Sequence, residues 1–423
     1  MKRHARNRGA GLILVALFLL AVMGSVAAIG MSAHATSVHR NRISERALAQ
    51  AREALVAYAA ERPITRELGP GYLPCPDTDD DGWAEATCGS LSGHLGQADR
   101  LGRLPWKTLG LPDLRDGHGE RLWYSVSTRH KGLLNCAASA ACREMTPASA
   151  LGTLTVRDAS GTVLHDGTAA DPARAADGGA VAVVIAPGAP LTRLDGHAQR
   201  RECAPGDCDS LGRCIADPPR RAARCDPTNY LDVAPAHAGS EDNAAFHDRS
   251  DAAGRAGNGD GFILGPVAAP GGETAVNDRL AVIAYNDLMP RVMARVALEI
   301  AHCLRVRADA PAPPAQACAA SEFLGRVDAA ALDAGSCKAS TTEPAWWPAW
   351  QPHVLYALAA PGGLEVADDA GRTLAAGRRL ALFATQFPGD CLPEQVACTH
   401  AGCTRVTSRA RTRLRQDVIV SIP

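Results

Sequence analysis

The first 29 residues constrain the fold of this chain more than any other part of its sequence. Met1 to Arg8 carries four Lys or Arg residues and no acid, and Leu12 to Ile29 then runs for 18 residues without a charge. As a helix, such a run spans roughly 27 Å, which is close to the hydrocarbon thickness of a bilayer. Because the basic flank precedes the apolar run, we expect Met1 to stay cytoplasmic. The sequence predicts a single-pass inner-membrane protein with its bulk in the periplasm.

The junction between the basic leader and the apolar run carries a family resemblance. In Arg8 to Leu14 (RGAGLIL), a short basic leader ends in glycine and an apolar helix follows at once. This pattern resembles the type IV pilins and the type II secretion pseudopilins. The resemblance implies that a prepilin peptidase cuts after Gly9 and leaves Ala10 as the first, methylated residue. Leu12 and Ile13 fall where the family has its Leu-Ile pair.

One position departs from the family pattern. The fifth mature residue is usually Glu, which meets the N-terminal amine of a neighbouring subunit, whereas this chain has Leu14. Minor subunits at a filament tip often lack that Glu, so the resemblance implies a minor, tip-like subunit. Its partners would be the inner membrane, the prepilin peptidase and other pilins or pseudopilins, and it could be incorporated into a periplasmic or extracellular filament. Two alternatives are a plain anchor and a signal peptide cut at Ala33-His34-Ala35 before Thr36.

Beyond the apolar run, the sequence predicts that the helix continues as an amphipathic stem to about Pro63. Apolar residues recur at steps of three and four, with Arg, Glu and Gln between them. They are Ile43, Ala47, Leu48, Ala51, Leu55 and Tyr58.

The chain has 14 cysteines, an even number, in loop-like contexts. We interpret them as disulfides of an oxidising compartment, since a zinc site would favour a C-x2-C pair, which does not occur here. Cys75 with Cys88 and Cys136 with Cys142 are sterically plausible pairs, although sequence does not determine connectivity. Four more candidates are Cys203, Cys208, Cys214 and Cys225.

An internal repeat indicates two related halves. The residues Leu154, Val156, Asp158, Gly161 and Leu164 recur 210 positions later as Leu364, Val366, Asp368, Gly371 and Leu374. The predicted fold class is therefore α+β: a long N-terminal transmembrane and amphipathic helix, followed by two related lobes of a helix plus an antiparallel sheet. The predicted parts are a leader at 1–9, a helical stem at 10–62, a first pilin-like lobe at 63–200, a Cys-rich loop and linker at 201–275, and a second pilin-like lobe at 276–423.

The segment from Asp77 to Glu85 is the strongest candidate for a metal site. Asp77, Asp79, Asp81 and Glu85 place oxygens at positions 1, 3, 5 and 9 of a loop with glycine at position 6, the spacing of a calcium loop. Position 12 is Cys88 instead of the usual bidentate Glu, which predicts weak calcium binding. An acidic solvated turn is the alternative.

No catalytic motif stands out. The chain has neither a G-x-S-x-G elbow nor an H-E-x-x-H helix, and a turn before a strand explains His118-Gly119-Glu120. The net charge of −1 and the lack of a basic stripe exclude a general nucleic-acid binder. We therefore predict a structural, non-enzymatic subunit for the assembly or tip of a type IV pilus or a type II secretion pseudopilus. The alternative is a membrane-anchored periplasmic enzyme or binding protein.

Overall fold

The computed structural model describes residues 8–61, 71–86, 88, 100–127, 130–131, 146–147, 151–167, 178–201, 226–239, 241–245, 261–305, 315–318, 321–327, 347–359, 361–367, 371–378, 380–385, 396–399, 402–407 and 417–422.

In the residues that the structure describes, one long helix precedes nine strands, and two further α-helices and nine strands follow. The first elements are α1 (Arg8–Glu61), β1 (Leu101–Arg103), β2 (Trp123–Val126), β3 (Thr155–Arg157), β4 (Val163–His165), β5 (Ala182–Ala186), β6 (Gly261–Ile263), β7 (Val267–Ala268), β8 (Thr274–Val276) and β9 (Arg279–Ile283). The later ones are α2 (Tyr285–Arg305), β10 (Ala315–Cys318), β11 (Ser321–Val327), α3 (Trp347–Trp350), β12 (Val354–Leu358), β13 (Leu364–Ala367), β14 (Thr373–Arg378), β15 (Leu380–Thr385), β16 (Val396–Thr399), β17 (Gly402–Thr407) and β18 (Asp417–Ile422).

Helix α1 is amphipathic over the residues 35–61, where most of its side chains are described. Ala47, Leu48, Ala51 and Leu55 are buried against β5, β9 and α2, while the charged side chains between them face outward. Within the part of the chain that the structure describes, no helix is long and apolar enough to span a membrane. The predicted transmembrane helix and the predicted single-pass inner-membrane location are therefore wrong.

The first sheet has the order β1-β2-β5-β9, and all of its pairs are antiparallel. Both of its faces are covered, so β5 is buried along its whole length. Tyr124 and Val184 face the core that α1 and α2 share, whereas Trp123 and Val183 face a second core beneath β3 and β6. A strand covered on both faces reads as a continuous apolar run, which accounts for the sequence AVVIA.

Two other sheets are mixed, which corrects the predicted antiparallel lobes. Strand β3 pairs antiparallel with β4 but parallel with β6, with Val156 opposite Phe262. Strand β13 likewise pairs antiparallel with β14 and parallel with β17, with Val366 opposite Val406. The physical reason is that a parallel partner must arrive through a long crossover, so it lies far away in the sequence and outside any hairpin pattern.

The two halves do not form separate lobes, which is a further correction to the predicted fold class. Strand β9 follows residue 276, yet it completes the first sheet by pairing with β5. Helix α2 packs against α1, and one core runs from α1 through α2 to Trp350, Val354 and Tyr356. The strand order of the second half still repeats the first, because β12, β15 and β18 pair as β2, β5 and β9 do. Gly161 and Gly371 have φ of 82° and 79° in the corresponding turns.

A tight turn at residues 116–120 holds α1 where the helix enters the core. The carboxylate of Asp116 accepts hydrogen bonds from the backbone N–H of His118, Glu120 and Gly188 at 2.8–2.9 Å. The Gly117 N–H donates to Ser44 Oγ of α1 at 2.9 Å. A Cβ at Gly117 would lie 2.2 Å from the carbonyl oxygen of Arg40, so only glycine permits this approach.

Gly117→Ala is therefore expected to destabilise the protein by roughly 1–3 kcal/mol, because the added methyl must push the α1 backbone away. Urea denaturation followed by circular dichroism measures this change. Gly271→Ala is the matched control, since a Cβ there would meet nothing within 4 Å. Equal stability of the two variants would contradict the tight contact between the turn and α1.

Candidate functional site

The acidic loop at residues 77–85 is held at both of its ends. A disulfide joins Cys75 to Cys88 with their Cα atoms 5.6 Å apart, one of the pairs that the sequence suggested. Asp77 also forms a two-hydrogen-bond bridge with Arg103 of β1, with N···O distances of 3.0 and 2.6 Å. The loop therefore starts from a buried strand edge and returns to a covalent link, which restricts its conformations.

Backbone N–H groups orient the carboxylates of this loop. Asp77 accepts from the N–H of Gly82 at 2.7 Å and of Asp81 at 3.2 Å, and Asp79 accepts from the same Asp81 N–H at 3.2 Å. These bonds require a turn with positive φ at Asp80 (64°) and Gly82 (89°). Asp tolerates this conformation better than most residues, and Gly adopts it freely.

The turn brings Asp77, Asp79 and Glu85 together, with one carboxylate oxygen of each within 4.8 Å of the others. Asp77 is only 1% exposed. Burial, together with repulsion from the neighbouring carboxylates, raises the pKa of Asp77 to about 7 although the Gly82 N–H opposes this shift. Three convergent carboxylates form the oxygen-rich ligand set that hard cations such as calcium prefer.

Asp81, the fourth predicted ligand, lies outside this group. Its carboxylate accepts a hydrogen bond from the Trp83 N–H at 2.7 Å, and its carbonyl oxygen accepts one from Lys107 Nζ. Trp83 is 56% exposed beside Lys107, whose Nζ lies 6.0 Å from the centre of the indole ring. The loop thus contains an exposed indole two residues from Asp81 and two from Glu85.

A layer of arginines lies behind the loop. Asp80 is not part of the group of three ligand candidates and forms an ion pair with Arg121 at 2.8 Å. Arg103 lies 4.0 Å from Asp80 and is stacked between Trp123 and Tyr230, at 4.2 and 4.0 Å from the ring centres. Because Arg103 is completely buried, this layer connects the loop rigidly to the first sheet.

The other predicted site residues have different positions. Gly9 and Ala10 lie in the first turn of α1, and Leu12, Ile13 and Leu14 follow in the same helix, but their side chains lie outside the described part of the structure. The remaining six disulfide candidates also lie outside the described residues: Cys136, Cys142, Cys203, Cys208, Cys214 and Cys225.

The structure also contains a polar cluster that the sequence analysis did not single out. Asp232 and Asp278 are both fully buried and hydrogen-bond to each other's backbone, although they are 46 residues apart in the chain. Each one alone has the appearance of an ordinary turn residue before an apolar stretch. No periodicity or spacing links them, so only the fold reveals the pair.

Comparison with protein-family models, with curated proteins and with solved structures found no match to this chain.

Proposed function

We propose that this chain is a minor pilin-like or pseudopilin-like structural subunit that acts in the assembly or at the tip of a type IV pilus or a type II secretion pseudopilus. The observation that carries the proposal is the division of α1 into two parts. The helix extends from Arg8 to Glu61, and among its described side chains the buried ones lie between Ser44 and Ala60. Upstream, Phe18 and Leu19 are 69% and 55% exposed.

Exposed apolar side chains on a long helix favour association with other helices. Burying a side chain of the size of Phe or Leu is worth about 1.5–3 kcal/mol. Phe18 and Leu19 would thus contribute free energy to packing against the stems of other subunits. The opposite end of α1 lies across β5 and β9, as a stem fixed to its own sheet.

This role requires assembly and no catalysis, so we propose a non-enzymatic protein. Its partners would be other pilin-like subunits and a prepilin peptidase that acts between Gly9 and Ala10. Leu14 supports a tip position, because a tip subunit has no preceding amine for a Glu to meet.

The test is the N-terminus of the mature protein purified from its host, determined by intact mass and peptide sequencing. We expect Ala10 with a methylated amine. Gly9→Leu is expected to abolish this processing, whereas the matched variant Gly11→Leu keeps a glycine at the cut and should still be processed. A mature chain that starts at Thr36, or one that retains Met1, would overturn the proposal.

A second proposal concerns the acidic loop. We propose that it binds calcium weakly, with Asp77, Asp79 and Glu85 as ligands, and that the ion holds the loop in one conformation. The observation that favours it is the convergence of these three carboxylates between a disulfide and the Arg103 layer. Loops that lack the bidentate ligand at position 12 bind at the weak end of the calcium range.

A further inference from the structure

We propose that the buried pair Asp232 and Asp278 carries one proton, and that this proton makes the pair a pH-sensitive latch that fastens the segment 226–243 to the connector between β8 and β9. This inference is independent of the filament role and of the calcium loop. The residues involved lie on the far side of the first sheet from α1.

The geometry of the pair is reciprocal. Asp278 Oδ2 accepts a hydrogen bond from the Asp232 N–H at 2.8 Å, and Asp232 Oδ2 accepts from the Asn277 and Asp278 N–H groups at 2.7 and 3.3 Å. Asn243 Nδ2 donates to Asp278 Oδ2 at 2.8 Å, and Gln199 Nε2 donates to Asp232 Oδ1 at 2.8 Å. Each carboxylate thus accepts hydrogen bonds from the backbone of the other residue's segment, so the pair holds the two segments together.

In the described part of the chain, the pair has no counter-ion in direct contact. Among the residues that the structure describes, no cationic side chain forms an ion pair with Asp232 or Asp278, and Asp278 Oδ1 is buried without a hydrogen-bond partner. The positive charge of Arg201 lowers the pKa of both carboxyls in part, but the ion pairs and hydrogen bonds of the nearby charged groups are made with other residues. Arg201 donates to Gly188 O, Arg193 pairs with Asp242 and Asp195, Arg279 pairs with Glu45, and Glu241 pairs with Arg157.

Two negative charges at one buried site are costly, and a single proton on the pair removes one of them. Burial raises the pKa of Asp278 well above its usual range, and the neighbouring Asp232 carboxylate raises it further. Burial also raises the pKa of Asp232, against the hydrogen bonds that it accepts from Asn277 and Gln199. A proton is therefore taken up on folding.

The direction of the pH effect follows from proton linkage. A carboxyl group whose pKa is raised by folding contributes most stability below its unfolded pKa, and this contribution is lost as the pH rises through the folded pKa. The latch is therefore closed in acid and loosens as the pH rises through the raised pKa values of the pair, of which that of Asp232 is about 6. Loosening frees the segment 226–243 from the connector that leads into β9 and α2.

Asp278→Asn, which keeps the shape of the side chain but cannot lose a proton, tests the latch. We expect the Tm of the wild type to fall more steeply than that of Asp278→Asn between pH 5 and pH 8, so that the variant gains on the order of 2 °C relative to wild type across this range. Asp195→Asn is the control, because Asp195 is exposed and lies outside the pair. The Tm of Asp195→Asn should fall between pH 5 and pH 8 as steeply as the Tm of the wild type.

Hydrogen exchange provides a local readout. After correction for the intrinsic rate, the Asp232 and Asn277 amides of the wild type should exchange about tenfold faster at pH 8 than at pH 5. In Asp278→Asn, the corrected exchange rates of these amides should be the same at both pH values. A constant difference in Tm between variant and wild type at every pH would overturn the latch. If Asp278→Asn does not fold, Asp232→Asn takes its place. If neither variant folds, infrared spectroscopy of the Asp77→Asn protein at pH 6 provides the test. The band of a protonated carboxyl group is expected, and its absence would overturn the latch.

Discussion

Millimolar calcium is expected to raise the Tm of this protein by a few degrees, and Asp77→Asn is expected to abolish that rise. A ligand that binds only the folded state stabilises it in proportion to the logarithm of its concentration over Kd. For a weak site with Kd near 0.1–1 mM, 10 mM calcium contributes about 1.4–2.7 kcal/mol. Differential scanning calorimetry with and without calcium measures the effect.

Asp77 is the most informative ligand to change. It is the most buried of the three carboxylates and accepts the Gly82 and Asp81 N–H groups, so an Asn side chain retains the shape of the turn while it removes the charge. Asp79→Ala is expected to reduce the calcium effect as well. Asp158→Asn is the control, because Asp158 lies in an exposed turn of the first half and accepts only local hydrogen bonds.

The exposed indole of Trp83 offers a second readout for the same titration. Its fluorescence should change with calcium in the wild type and stay constant in Asp77→Asn. The calcium assignment would be wrong if millimolar calcium does not change the Tm of the wild type and if Asp79→Ala does not change the Tm either. An equal effect of magnesium would indicate general screening of the acidic loop, because magnesium demands a smaller, octahedral site.

Local patterns in the sequence predicted the parts of the fold that depend on neighbouring residues. The three- and four-residue spacing of Ala47, Leu48, Ala51 and Leu55 identified residues that are buried in α1. The continuous apolar run at residues 181–186 is typical of a buried strand, and residues 182–186 of it form β5. In both cases the period of the side chains along the backbone determines which face is apolar.

Features that depend on distant contacts could not be predicted in this way. The apolar run at Leu12–Ile29 predicted a membrane span from hydropathy alone, and that prediction is wrong for the part of the chain that the structure describes. An alternating strand pattern also cannot distinguish a parallel from an antiparallel neighbour, so the β3–β6 pair was missed.

The acidic loop illustrates the same limit within nine residues. The spacing of a calcium loop identified Asp77, Asp79 and Glu85, whose carboxylates converge. The same spacing included Asp81, whose side chain instead accepts the Trp83 N–H. Position in a motif constrains the backbone, but competing local hydrogen bonds decide where a short carboxylate points.

Truncation of two leucines of α1 should change the stability of the protein by very different amounts. Leu55 is completely buried in the core that α1 shares with the first sheet and α2, whereas Leu19 is 55% exposed. Leu55→Ala is expected to destabilise the purified protein by about 2–5 kcal/mol through the lost burial and the cavity that remains. Leu19→Ala should change its stability by less than about 0.5 kcal/mol, since little is buried there. Urea denaturation of both variants measures these values.

The filament role predicts the reverse order for assembly. If Leu19 packs against other subunits, replacing it with Asp should lower the amount of this chain that co-purifies with sheared filaments by at least about tenfold, because 1.4 kcal/mol of lost contact corresponds to that factor. Ala49→Asp, at an exposed position of the same helix beside the buried stripe, is the control for a new charge on α1. Normal incorporation of Leu19→Asp would show that the exposed segment of α1 is not an assembly surface. A folded Leu19→Asp protein that no longer co-purifies would separate the two functions of α1, since the Ser44–Glu61 part would still stabilise the sheet.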